Sequence, residues 1–216
     1  KLDGVRAYWT GRCFLSRQGN LFHAPEWFCA GLPKEPLDGE FWIDRKRFQR
    51  TVGIVRRQDK TDLWKEVRFR MFDAPEGGAE FEERLRTIER IIQKNHPPYA
   101  LAHGHELCTD LDHLRRELAR IEALGGEGLM LRQPGSMYEA GRSMTLMKVK
   151  SAIDAEARVL GHEPGKGRHK GRLGALLVEL ADGTKFAVGT GLSDAERGNP
   201  PPIGSTITFR YQELTD

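Results

Sequence analysis

Long apolar runs are missing from this 216-residue chain. No stretch approaches the roughly 20 consecutive apolar residues that a membrane-spanning helix needs, so a helical membrane protein is excluded. Cysteine is scarce. Cys13, Cys29 and Cys108 are too few and too scattered for a disulfide framework or a zinc site, although one disulfide stays open to them. There is no glycine period and no sustained heptad pattern, which excludes collagen-like and coiled-coil chains. Internal repeats and low-complexity tracts are absent too. Neither sign of charge dominates: 34 basic and 31 acidic residues leave a net charge of +3. Bulk charge therefore does not identify a polyanionic partner, and only the placing of charges can. No signal or transit segment is recognisable, and a chain that opens on Lys1 rather than Met is expected to follow a further segment.

What is present is a core-forming composition. Hydrophobic residues make up 38% and charged residues 30%, with Trp, Phe, Ile, Leu and Val recurring from end to end, which excludes disorder. The first part reads as short strands: Val5 to Trp9 and Phe14 to Ser16 flank Gly11 as a hairpin, and Leu37 to Ile43 and Val67 to Phe72 follow. From Glu80 to Asn95, Phe81, Leu85, Ile88 and Ile92 recur at helical spacing, until His96-Pro97-Pro98 ends the pattern. A second helix is expected from Leu111 to Leu124, closed by Gly125 and Gly126. Beyond Lys150 the texture becomes strand and turn: Ala157 to Leu160, Ala175 to Leu180, Lys185 to Val188 and Thr206 to Tyr211, with Asp182-Gly183 as a hairpin turn. Short antiparallel strands of this kind suit a small barrel such as an OB-fold, with a boundary between Ser151 and Ala155.

Chemistry concentrates in an ordered series of motifs. Lys1-Leu2-Asp3-Gly4-Val5-Arg6 comes first, then Ser16-Arg17-Gln18-Gly19, Leu37-Asp38-Gly39-Glu40-Phe41-Trp42 and Phe69-Arg70-Met71-Phe72-Asp73. Glu127-Gly128-Leu129-Met130-Leu131-Arg132 and Leu146-Met147-Lys148-Val149-Lys150 complete it. Singly, each has a plain structural explanation: a surface lysine, a turn, a core phenylalanine, a basic strand end. Lys148 and Lys150 alternate with Val149 and so share one face of a strand.

In this order the motifs resemble those of the covalent nucleotidyltransferases, most closely the ATP-dependent DNA ligases, and among them the minimal bacterial E-type ligases. The resemblance covers the whole chain. It implies an α+β fold of two domains, a mixed α/β adenylation domain over residues 1–151 and a small all-β OB-fold domain over 152–216. It implies nick sealing in duplex DNA through a lysyl-AMP on Lys1, transfer of AMP to the 5′-phosphate, and attack by the 3′-hydroxyl. Lys1, Lys148 and Lys150 are then the catalytic residues. A free lysine titrates near 10.4, so the nucleophile needs a neighbouring cation or metal to lower that value, and Lys148 and Lys150 would neutralise charge at the α-phosphate.

The resemblance further gives ATP contacts to Lys1, Arg6, Glu40, Phe72, Glu127, Lys148 and Lys150, with Phe72 stacking on adenine and Arg6 reaching ribose or the nick. Asp3 would orient the loop. Glu40 and Glu127 would hold Mg2+ or Mn2+, since magnesium takes only one or two protein carboxylates beside phosphates and water. Gly39 and Gly128 would let the backbone approach the nucleotide. Arg6, Ser16 and Arg17 would meet the nick, Arg17 offering a two-pronged phosphate contact. Lys166, Arg168 and Lys170, in the loop Gly165 to Arg172, would contact DNA phosphates without reading sequence. A second basic cluster, Arg45, Lys46, Arg47, Arg50, Arg56 and Arg57, fits the same use.

His103, His105 and Glu106 have no further partner at metal-ligand spacing and are not read as a metal site. The partner expected is nicked duplex DNA, engaged by a monomer and not a membrane; the compartment is periplasmic by resemblance or else cytoplasmic. Two departures accompany the resemblance. No acidic residue precedes Lys1, and the chain ends at Leu214-Thr215-Asp216 before the basic segment that serves self-adenylation. A polypeptide with these ends is expected to seal pre-adenylated nicks while charging itself poorly. RNA ligase or capping-type chemistry, and a non-enzymatic OB-type nucleic-acid binder, are the alternative readings.

Overall fold

The structure is a computed structural model that describes residues 1–75 and 78–211. The chain divides into two compact units, Lys1–Lys150 and Ser151–Asp216. The expected incompleteness at Leu214 to Asp216 lies outside the described residues. Among the described residues no helix is long and apolar enough to cross a membrane.

The first unit is built on a six-stranded sheet. Strands β1 (Val5–Trp9), β2 (Phe14–Leu15), β3 (Leu21–Phe22), β4 (Leu37–Trp42), β5 (Arg68–Asp73) and β6 (Ala100–Ala102) lie in the order β3-β2-β1-β4-β5-β6. All pairings are antiparallel except β5 with β6. Alternation along each strand divides the sheet into two faces. Ala7, Trp9, Phe14, Leu37, Phe41, Phe69 and Met71 are buried on one. There Phe14, Phe28, Phe41 and Phe69 meet edge to face, with the Phe14 ring 4.8 Å from those of both Phe41 and Phe69.

Among the described residues this unit carries the α-helices α1 (Glu26–Cys29), α2 (Phe48–Val55), α3 (Phe81–Asn95) and α4 (Leu111–Ala123). The periodicity of α3 buries Phe81, Arg84 and Ile88. His96 ends it in a left-handed cap, with its N–H bonded to the Ile92 carbonyl. Asp110 caps α4 by accepting from the His113 N–H. Helix α2 lies within the basic stretch, Arg45 to Arg57, that the sequence offers as a second DNA contact. Its apolar residues Ile54 and Val55 join the core. A separate antiparallel pair, β7 (Leu129–Arg132) and β8 (Leu146–Val149), completes the unit.

The second unit is a four-stranded antiparallel sheet in the order β11-β10-β9-β12, from β9 (Ile153–Pro164), β10 (Leu173–Glu179), β11 (Lys185–Val188) and β12 (Thr206–Tyr211). Ala157, Val159, Leu173, Leu176 and Val178 form its core. A short helix, α5 (Asp194–Gly198), opens on a capping box of Ser193 and Glu196. Arg197 from this helix is buried and donates to the carbonyls of Leu173, Gly174 and Gly189. The three cysteines are free, so the single disulfide left open by the sequence does not form.

Candidate active site

The face of the six-stranded sheet opposite the aromatic core is polar. Register places Arg6 beside Glu40 and Glu40 beside Arg70, a row crossing β1, β4 and β5. Phe72 follows on the same side of β5, so it is a half-buried residue of this face and not a core phenylalanine. The Arg6 guanidinium lies over its ring, 4.7 Å from the centroid. Arg70 covers the Trp42 ring in the same way at 5.0 Å.

Lys1 sits at the edge of this face. Its backbone N–H donates to the Gly128 carbonyl at 2.5 Å, and Nζ forms an ion pair with Glu127 Oε2. Lys150 Nζ stands 3.9 Å from the same oxygen, so one carboxylate oxygen is shared between two ammonium groups. A cation is the expected neighbour of the nucleophile. In the structure a carboxylate stands against it, with the Lys150 cation on that carboxylate. Lys148 is exposed on β8, opposite Met130.

Glu40 Oε1 accepts from the Gly4 N–H at 2.6 Å. Burial pushes the Glu40 carboxyl above the ordinary glutamate range, while the Gly4 N–H and the charges of Lys1 and Arg6 pull it back. Asp3 accepts from Trp42 Nε1 at 3.0 Å and from the Lys46 N–H at 2.9 Å, which ties the loop before β1 to β4. The two glycines expected beside the nucleotide also have a packing role. A Cβ on Gly39 would strike the Phe69 ring and the Arg70 carbonyl, and one on Gly128, at φ +126°, would strike the Val149 carbonyl. Both therefore serve strand packing.

Residues that sequence reasoning missed lie underneath. Asp38, 1% exposed, receives Arg6 through two bonds, Nε to Oδ1 at 2.6 Å and Nη2 to Oδ2 at 2.5 Å. Asp73, fully buried, accepts from Arg84 of α3 at 2.6 Å and from Arg132 of β7 at 3.1 Å. The Arg6–Asp38 and Asp73–Arg132 pairs link residues far apart in the chain. The only local hint was an aspartate at an otherwise buried strand position.

The remaining candidates lie elsewhere. Ser16 Oγ accepts from the N–H groups of Gln18 and Asn20 and so holds the β2–β3 turn, with Arg17 exposed at its tip. Lys166, Arg168 and Lys170 are exposed in the second unit, on a loop closed by the Gly165 N–H to Arg172 carbonyl bond. In the basic cluster from Arg45 to Arg57, Arg50 is paired with Glu66 and Arg57 with Asp59, which neutralises part of that surface. His103 donates its backbone N–H to the Met71 carbonyl, which extends β6 and sets it beside Phe72. Glu106 pairs with His113 at 3.2 Å, and among the described residues no group of three or more ligating side chains forms a metal cluster.

The fold is that of a two-domain nucleotidyltransferase, a mixed α/β adenylation domain followed by an OB-fold domain. The family model of the ATP-dependent DNA ligase domain matches residues 30–150, and that of the DNA ligase OB-like domain matches residues 164–216. Over 100% of its length the chain is 35% identical to a DNA ligase of Haemophilus influenzae, covering 80% of that protein. A solved structure from a study of Lig E DNA ligases and DNA binding with a minimal scaffold superposes with a TM-score of 0.82. It is 42% identical, and the match covers 100% of this chain and 85% of that one. The Chlorella virus DNA ligase-adenylate, 23% identical with a TM-score of 0.60 over 99% of this chain and 86% of its own, shares the fold. The chain belongs to the ATP-dependent DNA ligases and is of the minimal, Lig E-like kind.

Proposed function

We propose that the chain, acting as a monomer on nicked duplex DNA, seals the nick through a lysyl-AMP formed on Lys1. The observation that carries this reading is the Lys1–Glu127–Lys150 cluster at the edge of the face that bears Arg6, Glu40 and Phe72. The first unit is the adenylation domain and the second the OB-fold domain. The Lys1 amine sheds its proton to solvent and attacks the α-phosphorus of ATP. The new N–P bond replaces the P–O bond to pyrophosphate. Lys148 and Lys150 neutralise charge at that phosphate, Phe72 supports adenine, and Arg6 addresses the ribose or the nick.

Two half-buried carboxylates, Glu40 and Glu127, suit a magnesium or manganese ion completed by ATP phosphates and water, and not an all-protein cage. Such an ion supplies charge neutralisation at the transferring phosphate. Ser16, Arg17, Lys166, Arg168 and Lys170 contact the DNA backbone. The relatives named above are DNA ligases, which sets aside capping and RNA-ligase chemistry as well as a purely binding role.

Intact mass spectrometry after incubation with ATP and magnesium, then with nicked duplex, tests the reading. The expected result is a gain of one AMP that nicked DNA discharges as a joined strand appears. Absence of both the adduct and the sealing of a pre-adenylated nick would overturn it.

A further inference from the structure

Tyr138 lies in the segment between β7 and β8, and no catalytic or binding role falls to it in the reading above. Its hydroxyl donates to Asp38 Oδ2 at 2.8 Å, across 100 residues of sequence. Asp38 thus accepts three hydrogen bonds, two from Arg6 and one from Tyr138. The carboxylate is buried, at 2% side-chain exposure, whereas the Arg6 side chain is 46% exposed. A buried carboxylate needs its lone pairs filled, and its bidentate grip fixes the plane of the guanidinium that it holds. That plane is the one lying over Phe72.

The segment that carries Tyr138 is itself pinned. The Gln133 N–H donates to the Thr145 carbonyl at 2.8 Å, the Gly135 N–H to Glu82 Oε2 at 3.0 Å, and Arg84 Nη1 to the Ser136 carbonyl at 2.8 Å. Burial and the neighbouring Asp38 push the Tyr138 phenol well above the ordinary tyrosine range, so it stays a donor throughout the working pH range. Its hydroxyl therefore ties the β7–β8 pair, the pair that leads into Lys148 and Lys150, to the sheet face that bears Arg6 and Phe72.

We infer that Tyr138 is a positioning residue for nucleotide capture: acting through Asp38, it orients the Arg6 guanidinium over Phe72 and holds the two sheets in register around the nucleotide. This rests on the reading of Arg6 and Phe72 as nucleotide contacts. Loss of one hydrogen bond to a charged partner corresponds to about a tenfold effect.

The test is a double-mutant cycle on single-turnover formation of the AMP adduct. Tyr138→Phe is expected to raise the half-saturating ATP concentration about tenfold with a smaller change in the maximal rate. In an Arg6→Ala background the same substitution is expected to have almost no further effect. Equal effects in both backgrounds, or a loss in maximal rate alone, would overturn the inference and leave Tyr138 a packing residue. Absence of any adduct in the unmodified protein would instead defeat the nucleotide reading on which the inference stands. Thermal melting of Tyr138→Phe separates a folding defect from either outcome.

Discussion

The two faces of the six-stranded sheet are drawn from the same strands and differ in almost every property. Phe69 and Met71 are fully buried among aromatic rings, whereas Arg70 and Phe72, one residue on from each, face Arg6, Glu40 and Trp42. On the first face energy comes from burial and edge-to-face ring contact. On the second, charges are held in fixed places by buried partners such as Asp38. A period of two along the strand thus divides stability from chemistry, and a register slip of one residue would exchange them.

Several substitutions break this comparison, and the largest effect belongs to Lys1. Lys1→Ala is expected to abolish AMP transfer to the protein while leaving the melting temperature near that of the unmodified chain, as intact mass and calorimetry would show. Next comes the buried ion pair behind the chemical face. Asp73→Ala leaves Arg84 without its carboxylate in a fully buried site, at a cost of about 3–5 kcal/mol in denaturant unfolding.

A matched pair of phenylalanines sharpens the contrast. Phe69→Ala is expected to cost about 3–5 kcal/mol of stability. Phe72→Leu is expected to change stability by less than about 1.5 kcal/mol. Its loss appears instead in ATP capture, since base stacking on an aromatic ring is worth about 1–3 kcal/mol. Equal stability losses at the two positions would break the division of the faces.

A pH dependence belongs to the margin of the chemical face. Burial, with His105 and Arg70 adding to it, lowers His103 from 6.5 to about 4. Between those values the unfolded chain binds a proton that the folded protein does not. The contribution to stability is therefore full above pH 6.5 and is lost progressively as pH falls toward about 4. Unfolding measured across that interval should show a shallower slope for His103→Asn.

Much of the fold was legible in the sequence because its signals are local. The spacing of Phe81, Leu85, Ile88 and Ile92 marks α3, and polar alternation marks β5. Helix α2 was missed because charges at Arg45 to Arg50 dominate its approach, while Ile54 and Val55 supply a short apolar face. The motif residues could be named but not their partners. Asp38 with Arg6 and Tyr138, and Asp73 with Arg84 and Arg132, are pairings fixed by tertiary packing. Nor could the sequence show that Gly39 and Gly128 also make room for neighbouring strands, the Phe69 ring and the Val149 carbonyl lying where a side chain would go.

Peptide mapping of the protein after incubation with ATP and magnesium tests the central claim most directly. The account predicts a single AMP on the ε-amine of Lys1, the lysine in contact with Glu127 at the edge of the polar face. An adduct on Lys148 or Lys150 with Lys1 unmodified would contradict it.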